Sequence, residues 1–314
     1  MTDLLRRCVE AATHAPSKHN AQPWRFEIAD GVVELHADGS RAMPVSDPQG
    51  RELVISCGAA LYALRLAMRC EGREPVTALF PEGAGFSLLA RVTPGRPVSP
   101  TVSDMAAYAA IPVRHTDRGP LDADAMEPGA PFLLQDAAEA EGATLHLVAT
   151  PGLRQTLAAL IGRADRVWSR DPAFEAELRE WSDGIPVAAR GPGATGSYRA
   201  AYVQRDFDLT GDVPRATTYG VDRPLAAVLW TDGDRPADWL RAGMALEAVL
   251  LRATVLGVSA SFLNQPIELP AMRAKLRQEL MLPGFPQLVL RLGVGSDGAP
   301  TPRRPVDEVA TGLS

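Results

Sequence analysis

Two stretches far apart in the chain run in the same register, and that constrains the fold more than any other feature. Cys57-Gly58-Ala59-Ala60-Leu61-Tyr62-Ala63-Leu64-Arg65-Leu66 and Ala242-Gly243-Met244-Ala245-Leu246-Glu247-Ala248-Val249-Leu250-Leu251 match without a gap at Gly58/Gly243, Ala60/Ala245, Leu61/Leu246, Ala63/Ala248 and Leu66/Leu251. The register continues to Gly72/Gly257. Both stretches carry apolar residues at helical spacing. Each is followed by a strand-like run, 86–92 and 287–292. Helices rich in Ala and Leu resemble one another by composition alone, but a shared register followed by a similar strand points to duplication. Small residues at Gly58, Ala60, Gly243 and Ala245 allow two helix backbones to approach closely. The expectation is a central helix pair related by a pseudo-twofold axis, a C2 dimer interface captured inside one chain.

At 314 residues the chain is long enough for two packed units, and 46% hydrophobic with 22% charged residues is globular composition. The Pro- and Gly-rich run 94–100 reads as the boundary between them, giving halves 1–98 and 99–314. In the first half we expect a helix over 4–13, strands over 24–29 and 32–37 joined at Asp30-Gly31, a helix over 51–70 and a hairpin within 78–92. In the second we expect helices over 102–109, 132–141 and 153–181, strands over 144–149, 225–231 and 287–292, and helices over 239–256 and 270–279. Residues 184–223 lack sustained periodicity, and a stretch of that length inside a compact chain is commonly functional.

A net charge of −6 without like-charge blocks argues against a nucleic-acid surface. No run of about 18 uncharged apolar residues is present to cross a membrane, and the start has no leader-length apolar core. Cys8, Cys57 and Cys70 form no CxxC pair and have no His at ligand spacing. They read as buried thiols in a reducing cytoplasm, with no metal site. Gly191–Gly196 resembles a phosphate loop but lacks the following Lys-Ser/Thr and the βα context.

The chemistry concentrates elsewhere. Ala15-Pro16-Ser17-Lys18-His19-Asn20-Ala21-Gln22-Pro23-Trp24 offers a hydroxyl at Ser17, amides at Asn20 and Gln22, and exposed backbone donors in front of a strand. Such groups suit a polar heterocycle or its phosphorylated tail. Arg114-His115-Thr116-Asp117-Arg118 sets two guanidiniums four residues apart with a hydroxyl between them, a pattern that forks onto phosphate oxygens. Arg303 and Arg304 add basic groups after the last expected strand.

The first of these segments resembles the PSxxNxQPW signature of nitroreductase-type flavoproteins, and the second resembles the RxSxR-type phosphate segment of the same superfamily. With Arg51-Glu52-Leu53-Val54-Ile55-Ser56-Cys57-Gly58-Ala59-Ala60-Leu61 as a further match, the whole chain resembles the Acg-type branch, in which two nitroreductase-like halves are fused. The resemblance implies an α+β nitroreductase-like fold, with mixed, mostly antiparallel sheets around a central helix pair. It implies FMN as cofactor and NAD(P)H as hydride donor, acting on a small organic acceptor. It assigns flavin contacts to Pro16, Ser17, Lys18, Asn20 and Gln22, to Arg114, His115, Thr116 and Arg118, and to Arg303 and Arg304. By place in the family pattern, Ser261, Phe262, Leu263, Asn264 and Gln265 should lie beside the ring. Asp117 departs from the basic pattern and is expected to orient an arginine. No residue is assigned as a catalytic acid or base.

The first loop occurs only in half one and the arginine segment only in half two, so one flavin site per chain is expected, and a monomer suffices to build it. The same resemblance leaves two other functions open: FMN sequestration with little turnover, or a specialised flavin dehydrogenase or oxidase. Residues 184–223 are then a candidate lid, with Tyr198, Tyr202, Phe207 and Tyr219 as aromatic cover and Arg199 and Arg205 as anchors.

Overall fold

The computed structural model describes residues 1–81, 87–182, 200–205, 222–295 and 300–312. It is α+β, as expected. Helix α1 (Thr2–Thr13) precedes strands β1 (Trp24–Ala29) and β2 (Val32–Ala37), whose ranges are those expected from sequence. β1 alternates strictly, with Trp24, Phe26 and Ile28 inward and Arg25, Glu27 and Ala29 outward. Asp30 (φ 51°) and Gly31 (φ 77°) both take the left-handed backbone that a two-residue hairpin needs.

Helix α2 (Arg51–Cys70) follows, then β3 (Arg73–Leu79) and β4 (Leu88–Pro97). The run 94–97 is therefore strand rather than linker: Pro94 and Pro97 pair with Pro75 and Arg73 of β3. β2 pairs only as far as Val92, so this end of β4 has one neighbour, and a proline without N–H is tolerated there. The break between the halves comes just after it, at Thr101, whose capping box with Asp104 starts α3 (Val102–Ala110).

The second half runs α4 (Ala130–Glu139), β5 (Thr144–Val148), α5 (Pro151–Trp168), α6 (Pro172–Ser182), β6 (Leu225–Thr231), α7 (Pro236–Val255), β7 (Ser259–Phe262), α8 (Pro270–Glu279) and β8 (Phe285–Gly293). The helix expected over 153–181 is two helices, because Pro172 biases Asp171 out of the helical region and starts a new helix. A short helix α9 (Val306–Val309) and strand β9 (Ala310–Thr311) close the described chain.

The strands make two sheets, β3-β4-β2-β1-β9 and β5-β6-β8-β7. Strand for strand, β3-β4-β2-β1 has the same order as β7-β8-β6-β5. β9 pairs parallel to β1, so the C-terminal strand returns to the first sheet although its residues lie in the second half of the sequence.

Between the sheets α2 lies against α7. From Ser56 to Leu61 every residue of α2 is buried, the signature of a helix enclosed by protein. α2 is apolar and long enough to cross a membrane by length and composition, with mean hydropathy 1.5 over its best window, but 78% of that window is packed inside the protein. The two glycines aligned by the repeat meet at the crossing. A Cβ on Gly243 would overlap the Ile55 carbonyl oxygen and stand 2.8 Å from Gly58 Cα. One on Gly58 would overlap the Leu240 carbonyl and stand 2.9 Å from Gly243 Cα. The cysteines are free, Cys8 and Cys57 buried and Cys70 partly so. The Cys57 thiol donates to the Pro23 carbonyl at 3.2 Å, tying α2 to the loop before β1.

Candidate functional site

The loop between α1 and β1 is held in an unusual conformation. His19 (φ 47°), Asn20 (φ 58°) and Gln22 (φ 52°) all have left-handed backbone, which costs a non-glycine residue on the order of 1 kcal/mol or more. Hydrogen bonds over-determine it. Gln22 N donates to Ser17 Oγ (2.9 Å), Gln22 Nε2 to the Asn20 carbonyl (3.3 Å) and Arg41 Nη1 to the Gln22 carbonyl (2.5 Å). Across the chain, Arg304 N donates to Gln22 Oε1 (2.9 Å) and Asn20 Nδ2 to the Pro302 carbonyl (3.0 Å). Gln22 thus fastens the loop to the C-terminal segment.

The second half supplies the facing wall. Asp117 N donates to the Ala260 carbonyl at 2.9 Å, and Thr116 bridges to Ala260, so residues 116–117 run beside β7. Arg114, Thr116 and Arg118 line the cleft, at the every-other-residue spacing of extended chain. His115 turns back, its Nδ1 within 3.0 Å of the Val113 carbonyl. Asp117 does not orient either arginine of its segment through a hydrogen bond: its Oδ1 accepts from Gly119 N (2.8 Å) and shapes the turn. Fully buried Arg291 supports that turn, donating to the Gly119 carbonyl (2.7 Å) and pairing with Asp222 (3.1 Å).

Between the walls lies a cleft of about 1110 Å³, its mouth included. Pro16, Ser17, Lys18, Asn20, Arg114, Thr116, Arg118, Ser261, Phe262, Asn264, Gln265 and Arg303 all line it. Gln22, His115, Leu263 and Arg304 do not. Gln22 is the loop fastener. Leu263 is fully buried in the core beside α5 and α8. The Arg304 side chain pairs with Glu308 at 3.4 Å on the outer side of the loop.

Sequence reasoning missed part of the lining. Lys18 Nζ meets Glu52, the Glu268 carboxylate (3.0 Å) and the Ser46 carbonyl (3.2 Å). Arg205 forks onto Glu268 at 2.9 and 2.5 Å, and Asn264 Nδ2 donates to Glu52 at 3.0 Å. Glu52 was visible only as an acidic residue in a helix's first turn, and Glu268 stands in an unremarkable loop. Only folding brings them to Lys18. Burial alone would raise the Glu268 pKa, but Arg205 and Lys18 reverse it and hold the group at about 2. Burial likewise opposes the charge on Lys18, and Glu268 and Glu52 more than restore it, so its pKa is raised. Glu52 is raised by burial, against the pull of Lys18. His19 is pushed well below its ordinary value by burial and then by Lys18, so it is neutral at pH 7.

The cleft walls carry five cationic side chains, Lys18, Arg114, Arg118, Arg205 and Arg303, against two carboxylates, Glu52 and Glu268. Arg114 Nη2 and Arg303 Nη2 both donate to one acceptor, the His14 carbonyl, at 3.1 and 3.2 Å. Burial pulls both Arg118 and Arg303 down to about 10, with a further push from Arg291 and Arg114 respectively. All remain cationic at neutral pH.

Of the candidate lid 184–223, residues 200–205 and 222–223 are described, and Tyr198, Arg199, Phe207 and Tyr219 lie outside the described residues. Tyr202 packs into the core beside α5 and does not line the cleft, whereas Arg205 does. Among the described residues, Glu27, Glu34 and His36 stand close enough together to share a metal ion, but Arg91 already holds Glu34 at 2.5 Å.

No family model matches the chain. Similar curated proteins do. "Putative NAD(P)H nitroreductase acg" of Mycobacterium tuberculosis is 32% identical, over 98% of this chain and 95% of its own length. "Putative NAD(P)H nitroreductase Rv3131" of the same organism is 31% identical, over 98% and 91%. A solved nitroreductase with bound FMN from Bacteroides fragilis aligns over 63% of this chain and 93% of its own, at 15% identity and a TM-score of 0.40. With about a third of the residues identical across nearly the full length of both chains, the protein belongs to the Acg-type nitroreductase family.

Proposed function

We propose that the chain binds one FMN in this cleft and works as an oxidoreductase, passing hydride from NAD(P)H to a small organic acceptor. The observation that carries the reading is the excess of buried positive charge around one cleft, with two guanidiniums drawn onto a single carbonyl oxygen. Arg114 Nε is buried without a hydrogen-bond partner among the described residues. A phosphate monoester supplies what these groups lack, charge-assisted bonds to several donors at once.

Arg114, Arg303 and the Thr116 hydroxyl would hold the phosphate. Ser17, Asn20 and Arg118 would meet the polar edge and the ribityl chain, and Phe262 and Asn264 would border the ring. FMN supplies the hydride chemistry when bound. The chain orients it, screens it from water and presents fixed positive charge where negative charge develops. Both walls come from one polypeptide, so we infer a fused, duplicated chain with one complete site that needs no second subunit. The names of the relatives support NAD(P)H as donor.

One observation favours the second reading, flavin sequestration. Arg205 ties residues 200–205 to the cleft wall through Glu268. Anaerobic stopped-flow mixing of the flavin-loaded protein with NADH and NADPH separates the two. Loss of the flavin absorbance within seconds supports the oxidoreductase, and a persistent yellow colour supports sequestration. A protein that purifies without flavin and binds neither FMN nor riboflavin would sink both.

A further inference from the structure

Glu247 is the one fully buried carboxylate behind the cleft that the reading above leaves without a role. It lies on α7 with no exposed surface and is not part of the cleft wall. Neither of its oxygens has a hydrogen-bond partner among the described residues. Its nearest cation is Arg114, with Nε 3.8 Å from Oε2, and that Nε is itself without a hydrogen bond. Arg303, held beside Arg114 by the shared His14 carbonyl, is the second cation acting on it. A carboxylate this deep with no donor is poorly solvated when charged, and only the two arginines favour its ionisation.

Resting on the FMN reading, we propose that Glu247 is a positioning residue that balances the charge of the Arg114–Arg303 clamp and takes up one proton when a phosphate monoester enters. Before binding, the carboxylate is the counter-ion behind the two guanidiniums. The phosphate brings two negative charges to the front of the same guanidiniums and takes over that role. Glu247 would then be a buried anion next to another anion, and a solvent proton neutralises it.

Burial raises the Glu247 pKa to about 7 even against Arg114 and Arg303, so the empty clamp sits near the balance point at physiological pH. The other groups facing this pocket do not titrate between pH 7 and 9. Burial, then Arg303 and Arg114, lower His14 from its ordinary value, so it is neutral there. Burial pushes Tyr62, which faces Glu247 from α2, up to about 12. Arg65 and Glu141 beyond it are paired at 2.7 Å.

The test measures FMN affinity of the full-length chain, freed of flavin by dialysis, from quenching of flavin fluorescence between pH 7 and 9. The phosphate is already dianionic in this range. For wild type, affinity should fall as pH rises, approaching about tenfold per pH unit, the limit for one linked proton. Glu247→Gln, of the same shape and always neutral, should change by less than roughly threefold over the range and bind more tightly than wild type at pH 9. Riboflavin, with no phosphate, should show no slope in either protein.

Calorimetry of FMN binding to wild type at pH 8, in two buffers of different ionisation enthalpy, should report uptake of close to one proton; it needs no variant. Equal slopes in wild type and Glu247→Gln, no proton uptake by wild type, or weaker binding by Glu247→Gln at every pH would each overturn the proposal. FMN binding without proton uptake removes the role of Glu247 and leaves the flavin cleft standing, whereas failure of wild type to bind flavin removes the cleft reading itself.

Discussion

Gly243→Ala tests the central helix crossing, on which both the fold and the cleft depend. The added methyl would overlap the Ile55 carbonyl oxygen and stand 2.8 Å from Gly58 Cα, and all of these are backbone atoms that no rotamer change can move. Carbon atoms pack at about 3.5–4.0 Å, so α2 and α7 must separate by roughly 0.7–1 Å at the crossing. Overpacking of this kind costs about 1–3 kcal/mol, and with backbone on both sides the upper end applies. The helix propensity gained on replacing glycine by alanine returns about 1 kcal/mol, leaving a net loss of about 2 kcal/mol. For a chain of this size that lowers Tm by roughly 4 °C. Gly152 in α5 is the matched control, since a Cβ there meets nothing within 4 Å. Gly152→Ala should leave Tm unchanged or raise it slightly. Because α2 carries Glu52 and Ser56 and α7 carries Leu246 into the cleft, Gly243→Ala should also bind FMN more weakly. Differential scanning calorimetry with flavin titration measures both effects. A Gly243→Ala protein as stable as wild type, with unchanged FMN affinity, would refute the reasoning from close backbone contact.

Two further outcomes follow from the cleft. Arg114→Ala and Arg118→Ala should each weaken FMN binding by about 1.5–3 kcal/mol, the range for a hydrogen bond to a charged group. Arg114→Ala should leave riboflavin binding little changed, so equal losses for FMN and riboflavin would move Arg114 off the phosphate. Glu268→Gln leaves Lys18 and Arg205 buried without their shared counter-ion and should cost on the order of 3 kcal/mol at pH 7. Its folded pKa of about 2 lies below the ordinary 4.5, so its stabilisation is complete above pH 4.5 and fades as pH falls towards 2. Melting curves of wild type and variant should therefore converge between pH 5 and pH 3, and a gap that widens on acidification contradicts the assignment.

Local patterns in the sequence carried much of the fold. The alternation of Trp24, Phe26 and Ile28, the Asp30-Gly31 turn and the apolar run of α2 are decided by neighbours in the chain, and the structure has these elements where the residues placed them. The repeat reached further, because a glycine in each copy is legible in one dimension and the crossing needs both. The errors were also local in origin. Pro94 and Pro97 read as linker because a proline's cost in a strand depends on whether a neighbour occupies its N–H side, and that is settled by where β2 stops pairing.

The arginines and the PSxxNxQPW-like loop announced the cleft through residue type, but the roles within it were decided in three dimensions. Gln22, an expected ligand, became the fastener between loop and tail because Arg304 N comes within reach of its side chain from the far end of the chain. Lys18, Glu52, Glu268 and Arg205 lie on four separate segments, and no spacing rule connects them. Their charges, and that of Glu247 behind Arg114, take their meaning from burial and mutual distance. The sequence by itself determined which segments are helix or strand and which chemical groups are available, because those follow from side-chain type and period. The tertiary structure alone decided which of those groups face one another out of water, because electrostatic strength depends on separation and on solvent exclusion, neither of which is a property of the chain before it folds.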